Sequence, residues 1–122
     1  MVKILFIDDS SFQRKIVSDI LREAGYDPVV SEDGKRGIDL AQKEKPNLLI
    51  TDLLMPDYDG YYVLKEAQAC RLGIPILILT SDIQDTTHNQ CLGLGAAGVV
   101  NKPVKKEVLL PAITKVLSGE RP

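Results

Sequence analysis

Three stretches of this chain are almost continuously apolar and stop at a polar side chain: residues 2–7 before Asp8, residues 48–51 before Asp52, and residues 75–79 (PILIL) before Thr80. A strand with one wet face alternates apolar and polar residues, so unbroken apolarity predicts strands covered on both sides. Residues 28–31 and 98–101 are shorter versions, which gives five strands. Helical patterns lie between them. The first starts at Asp9 or Ser10, either able to cap it, and runs to Ala24 with Phe12, Ile16, Ile20 and Ala24 every four residues, closed by Gly25. Residues 34–45 hold Ile38 and Ala41 ahead of Pro46, and residues 60–72 hold Val63, Leu64 and Ala67 ahead of Gly73. Residues 83–94 form a weaker helix rich in Thr, Asn and Gly. Residues 105–117 form a strong one, with Val108, Leu109, Ala112, Ile113 and Val116. Strict βα alternation with short connections requires right-handed crossovers and a parallel sheet with helices on both faces, the doubly wound α/β class.

The 122 residues suit one domain spanning residues 1–122, large enough to bury a core without disulfides. A net charge of −2 offers no surface for nucleic acid. The chain shows no signal-peptide pattern and no apolar run of bilayer length, so a cytoplasmic protein with no membrane partner is expected. Cys70 and Cys91 lack CxxC spacing and fall in helical patterns, which predicts free thiols. His88, the sole histidine, has no neighbour at metal-ligand spacing and is expected to face solvent.

In doubly wound sheets ligands bind beyond the carboxyl ends of the strands. Those ends carry Asp8 and Asp9, then Asp52, then Thr80 and Ser81, then Lys102. Carboxylates converging on one edge repel one another unless a cation sits between them or their pKa values rise. An all-oxygen site with few protein ligands suits Mg²⁺, which keeps open positions for phosphate oxygens. Mg²⁺ and Lys102 together offset three carboxylates, roughly +3 against −3, so a phosphate group could enter. A carboxylate can attack phosphorus to give an acyl phosphate, and Asp52 is the candidate because Asp8 and Asp9 form the natural metal pair. Thr80 and Lys102 are placed to contact phosphoryl oxygens.

These residues resemble the receiver domains of two-component response regulators, with the stand-alone chemotaxis response regulators as architectural relatives. The motifs are IDDS at residues 7–10, TDLLMPDYDG at 51–60, ILILTS at 76–81 and GAAGVVNKP at 95–103. The resemblance implies a flavodoxin-like sheet of strand order 2-1-3-4-5 with five helices. It also implies that Asp52 accepts a phosphoryl group from a histidine kinase or phosphotransfer protein. Asp9 would bind Mg²⁺ directly, Asp8 mainly through water, and Leu54 by its backbone carbonyl, while Lys102-Pro103 would be a cis peptide. A phospho-acceptor switch is expected rather than an enzyme acting on other substrates, with an unknown output protein or effector domain and a phosphorylation-dependent homodimer as possible partners. With residues 118–122 alone after the last helix, no effector domain is expected within these 122 residues, which suits either a stand-alone protein that binds partners or a domain excised from a longer regulator.

Two other chemistries fit less well. Phosphatases of the haloacid dehalogenase type place DxD after the first strand, whereas this chain has Asp8-Asp9-Ser10. Flavodoxin-like carriers need hydroxyls and amides where this chain places an acidic turn. Four features depart from the receiver pattern or complicate it. Val99 stands where many receivers carry an aromatic residue three positions before the lysine, and Pro111 inside the last helix predicts a kink or a late start. Leu54 and Asp82 occupy positions that modulate acyl-phosphate hydrolysis, with opposing expected effects. Of the adjacent Tyr61 and Tyr62, one is expected to pack and the other to face solvent.

Overall fold

The computed structural model describes residues 1–119; the last three residues of the expected tail lie outside this range. Five strands, β1 (Lys3–Ile7), β2 (Asp27–Ser31), β3 (Leu48–Asp52), β4 (Ile76–Thr80) and β5 (Gly98–Asn101), form one parallel sheet in the order β2-β1-β3-β4-β5. They alternate with α1 (Ser11–Glu23), α2 (Gly34–Glu44), α3 (Gly60–Ala69), α4 (Asp85–Gly93) and α5 (Lys106–Leu117). The expected class, strand order and element count are all present.

Alternation along each strand splits the core in two. Ile4, Phe6, Leu48, Ile50, Leu77 and Leu79 face Val17 and Leu21 of α1 and Leu109, Ile113 and Val116 of α5. Leu5, Ile7, Leu49, Ile76 and Ile78 face Ile38 of α2, Val63 and Leu64 of α3, and Cys91 of α4. Every residue of β3 and β4 is buried, which explains why both read as unbroken apolar runs.

Two helices differ from expectation. In α1 the buried residues are Val17, Ser18 and Leu21, while Phe12 is 70% exposed and Ala24 is also exposed. The four-residue repeat therefore marks the wrong face at both ends: the buried stripe runs through Val17, Ser18 and Leu21, one position on from Ile16 and Ile20, which are only half-buried. In α5 the helix begins at Lys106 and runs through Pro111 to Leu117 without interruption, so the expected late start is absent. Proline there removes the donor that would have served the carbonyl of Glu107. Both residues are exposed, so water can satisfy that carbonyl.

Close packing fixes the loop after β3. A Cβ on Gly60 would lie 2.8 Å from the Asp52 carbonyl oxygen and 2.8 Å from Leu53 Cα, so only glycine lets α3 start against the end of β3. The Gly60 amide donates to the Leu53 carbonyl at 2.8 Å. Neither tyrosine of α3 is a free surface residue. Tyr61 and Tyr62 are both half-buried, with Tyr62 edge-on to Tyr58 at 5.0 Å and the Tyr61 hydroxyl donating to Gln90 Oε1 at 3.4 Å. No helix among the described residues is long and apolar enough to cross a membrane.

Candidate functional site

Register brings the strand ends together. Ile7 pairs with Thr51, Asp52 with Leu79, and Thr80 with Asn101. Asp8, Asp52, Thr80 and Lys102 therefore emerge side by side at the carboxyl edge of adjacent strands. Asp8, Asp9 and Asp52 each present a carboxylate oxygen, all within 4.8 Å of one another. Lys102 reaches back over them, its Nζ 2.8 Å from Asp52 Oδ1 and 3.7 Å from Asp8 Oδ2. The Lys102-Pro103 peptide is cis.

Asp8 is the least comfortable group in this arrangement. It is 1% exposed; its Oδ1 accepts the Ser10 amide at 2.9 Å, while Oδ2 is buried with no hydrogen-bond partner. Burial pushes its carboxyl above the usual range. The Ser10 amide opposes that shift, the charge of Asp52 adds to it, Lys102 opposes it, and Asp9 adds a further push. An orphaned buried carboxylate oxygen facing two further carboxylates is a site that a hard cation would satisfy. The Arg14 guanidinium donates to the Asp8 carbonyl at 2.6 Å and braces the turn from α1. Sequence reasoning missed this contact, because a lone arginine on a helix carries no positional signal.

Thr80 is 2% exposed, and its backbone carbonyl accepts the Lys102 amide at 2.8 Å, which ties the two loops together. Its Oγ1 accepts the Asp82 amide at 3.1 Å, leaving the hydroxyl proton free to donate. The Leu54 side chain is 65% exposed, and among the described residues its carbonyl accepts no hydrogen bond. Asp82 is committed elsewhere: Oδ1 accepts the Gln84 amide at 2.9 Å and Oδ2 the Thr87 hydroxyl at 2.6 Å. His88 does not simply face solvent. It is half-buried, with Nε2 3.1 Å from the Asp82 carbonyl and 3.0 Å from Asn101 Oδ1.

A family model described as the response regulator receiver domain matches residues 4–114. The chain belongs to the response regulator receiver domains. Over 121 residues it is 32% identical to the protein PilH of Pseudomonas aeruginosa, covering 98% of this chain and all of that one. It is 38% identical to the probable transcriptional regulator ycf27 of Porphyridium aerugineum over 94% of this chain but only 48% of that protein. Among solved structures, the Vibrio cholerae chemotaxis protein CheY4 superposes with a TM-score of 0.89 at 32% identity, covering 95% of this chain and 98% of that one. This receiver domain therefore works in two-component phosphorelay signalling, in which receivers meet histidine kinases and output effectors. Receivers bind Mg²⁺ at an acidic pocket, and Asp8, Asp9 and Asp52 form an acidic cluster of that kind here.

Proposed function

We propose that Asp52 is the phosphoryl acceptor, taking the group from a phosphohistidine of a kinase or phosphotransfer protein. The observation that carries this reading is the contact of Lys102 Nζ with Asp52 Oδ1 at 2.8 Å beside the unpartnered Oδ2 of Asp8. An Asp52 carboxylate oxygen attacks phosphorus as the P–N bond to the donor imidazole breaks, and the imidazole nitrogen keeps the electron pair. Lys102 holds the acceptor carboxylate and offsets charge on the arriving group, and the Thr80 hydroxyl donates to a phosphoryl oxygen.

Asp8, Asp9 and Asp52, with the carbonyl of Leu54, would hold Mg²⁺. When bound, the ion supplies the positive charge that lets a phosphoryl group approach three carboxylates. The chain acts as a switch whose only chemistry is its own phosphorylation and dephosphorylation, and phosphorylation alters the surface offered to an output protein or a second copy. With Asp82 engaged by Gln84 and Thr87 and Leu54 apolar, neither neighbour of the acceptor offers a free group to orient water, which supports a slowly hydrolysing acyl phosphate.

Intact-mass measurement after incubation with acetyl phosphate tests the reading. Wild type with Mg²⁺ gains one phosphoryl mass, and the gain disappears with Asp52→Ala or with a chelator. Adduct persisting on Asp52→Ala, or turnover of many phosphate esters, would overturn it.

A further inference from the structure

We propose that His88 is a positioning residue that fastens α4 to both loops of the phosphoryl site, so that displacement of Thr80 or Lys102 is carried to the α4 surface. The proposal rests on the phosphoryl-acceptor reading above. The Asp82 carbonyl and Asn101 Oδ1 are both acceptors, at 3.1 and 3.0 Å, so Nε2 carries the proton and shares it between them.

Each partner is one step from the site. The Asp82 amide donates to the Thr80 hydroxyl oxygen at 3.1 Å, so the residue held by His88 itself holds Thr80. Asn101 precedes Lys102 and lies opposite Thr80 in the β4–β5 register. A phosphoryl group on Asp52 adds negative charge that draws the Thr80 hydroxyl and the Lys102 ammonium toward it. The shared ring N–H must then follow or break, and either outcome moves α4.

The helix is free to respond. Cys91 is its one buried residue, and its N-cap Gln84 makes no side-chain cap bond. Apart from those of His88, its side-chain hydrogen bonds to the rest of the described residues are Thr87 to Asp82 at 2.6 Å and Gln90 with Tyr61 at 3.4 Å. Val99, packed against the α2–α3–α4 side of the core, has no polar group with which to join site and surface.

Amide NMR on the full chain, with adduct measured by intact mass, tests the coupling in His88→Ala and His88→Gln. In the resting protein, His88→Ala speeds hydrogen exchange of the Asp82 and Lys102 amides about five-fold, the value of one net hydrogen bond, while Leu77 and Ile78 stay unchanged. At equal adduct, the phosphorylation-induced shifts across residues 86–92 fall below about half in His88→Ala and recover in His88→Gln, whose amide replaces the donor. Adduct with an unaltered α4 response in His88→Ala would overturn the coupling alone. No adduct on wild type would overturn the acceptor reading and this coupling with it.

Discussion

Helices α1, α2 and α3 are fixed in a way that α4 is not. Ser10, Asp33 and Asp59 each accept an amide hydrogen from the first turn of their helix, and each helix buries at least three residues. Helix α4 has no capping side chain at Gln84 and buries Cys91 alone. It borrows a cap from Asp82, which belongs to the loop carrying Thr80. The acceptor Asp52 thus stands on the firmly held part of the molecule, while the loops of Thr80 and Lys102 border the loosely held part. A switch needs both, since rigid placement serves the chemistry and a low-stability element serves the response.

The largest expected effect contrasts the two regions directly. Ile50→Ala, in the fully buried β3, costs about 4 kcal/mol in urea unfolding, whereas Cys91→Ala costs about 1 kcal/mol. Equal losses would break the comparison. Gly60→Ala follows at about 2 kcal/mol, because the new Cβ meets the Asp52 carbonyl and Leu53 Cα; adduct yield falls with it if the loop positions the acceptor.

Asp8 sharpens the picture of a rigid site under electrostatic stress. Its carboxyl is held above the ordinary value of 3.8, chiefly by burial, so the folded state binds that proton more tightly than the unfolded chain. Its contribution is then greatest below the ordinary value and is lost as pH rises through the folded one. In chelator, Asp8→Asn removes this decline and raises stability near neutral pH by about 1 kcal/mol, read from urea midpoints across the titration. A midpoint profile identical to wild type would show that the buried charge is not a source of stress.

The smallest effect lies in α4. The Thr87 hydroxyl and then the Gln84 amide hold the Asp82 carboxyl below the usual range, so its support of the helix is present at neutral pH and is lost as pH falls through that depressed value. Thr87→Val lets the Asp82 titration rise toward its ordinary value, measured by carboxyl carbon NMR, and speeds exchange in the first turn of α4. An unmoved titration would show that Thr87 does not anchor the helix.

Strand ends were legible in the sequence because fully covered strands are uniformly apolar and their first polar residue falls at the binding edge. Asp8, Asp9, Asp52, Thr80 and Lys102 could be located on that basis, and the structure gathers them at one edge. Helix faces were less legible. Phe12 fits the repeat of α1 yet is left exposed, a fact of tertiary placement that periodicity does not contain. The uninterrupted α5 shows the same limit from the other side, since the cost of Pro111 depends on whether the orphaned carbonyl meets water. His88 escaped for a third reason: its partners are a backbone oxygen and a side chain on a distant strand, and neither leaves a local pattern.

The register of the central strands also sets how the chain can change in length. Inserting one residue within β3 would turn Asp52 to the opposite face of the pleat and separate it from Lys102, however little the core noticed. At the other rim, Gly25 and Gly73 sit in turns where an added Cβ would meet nothing within 4 Å. Insertions and deletions are therefore expected to accumulate at that rim, leaving the spacing between strand starts variable and the residues at strand ends in fixed phase.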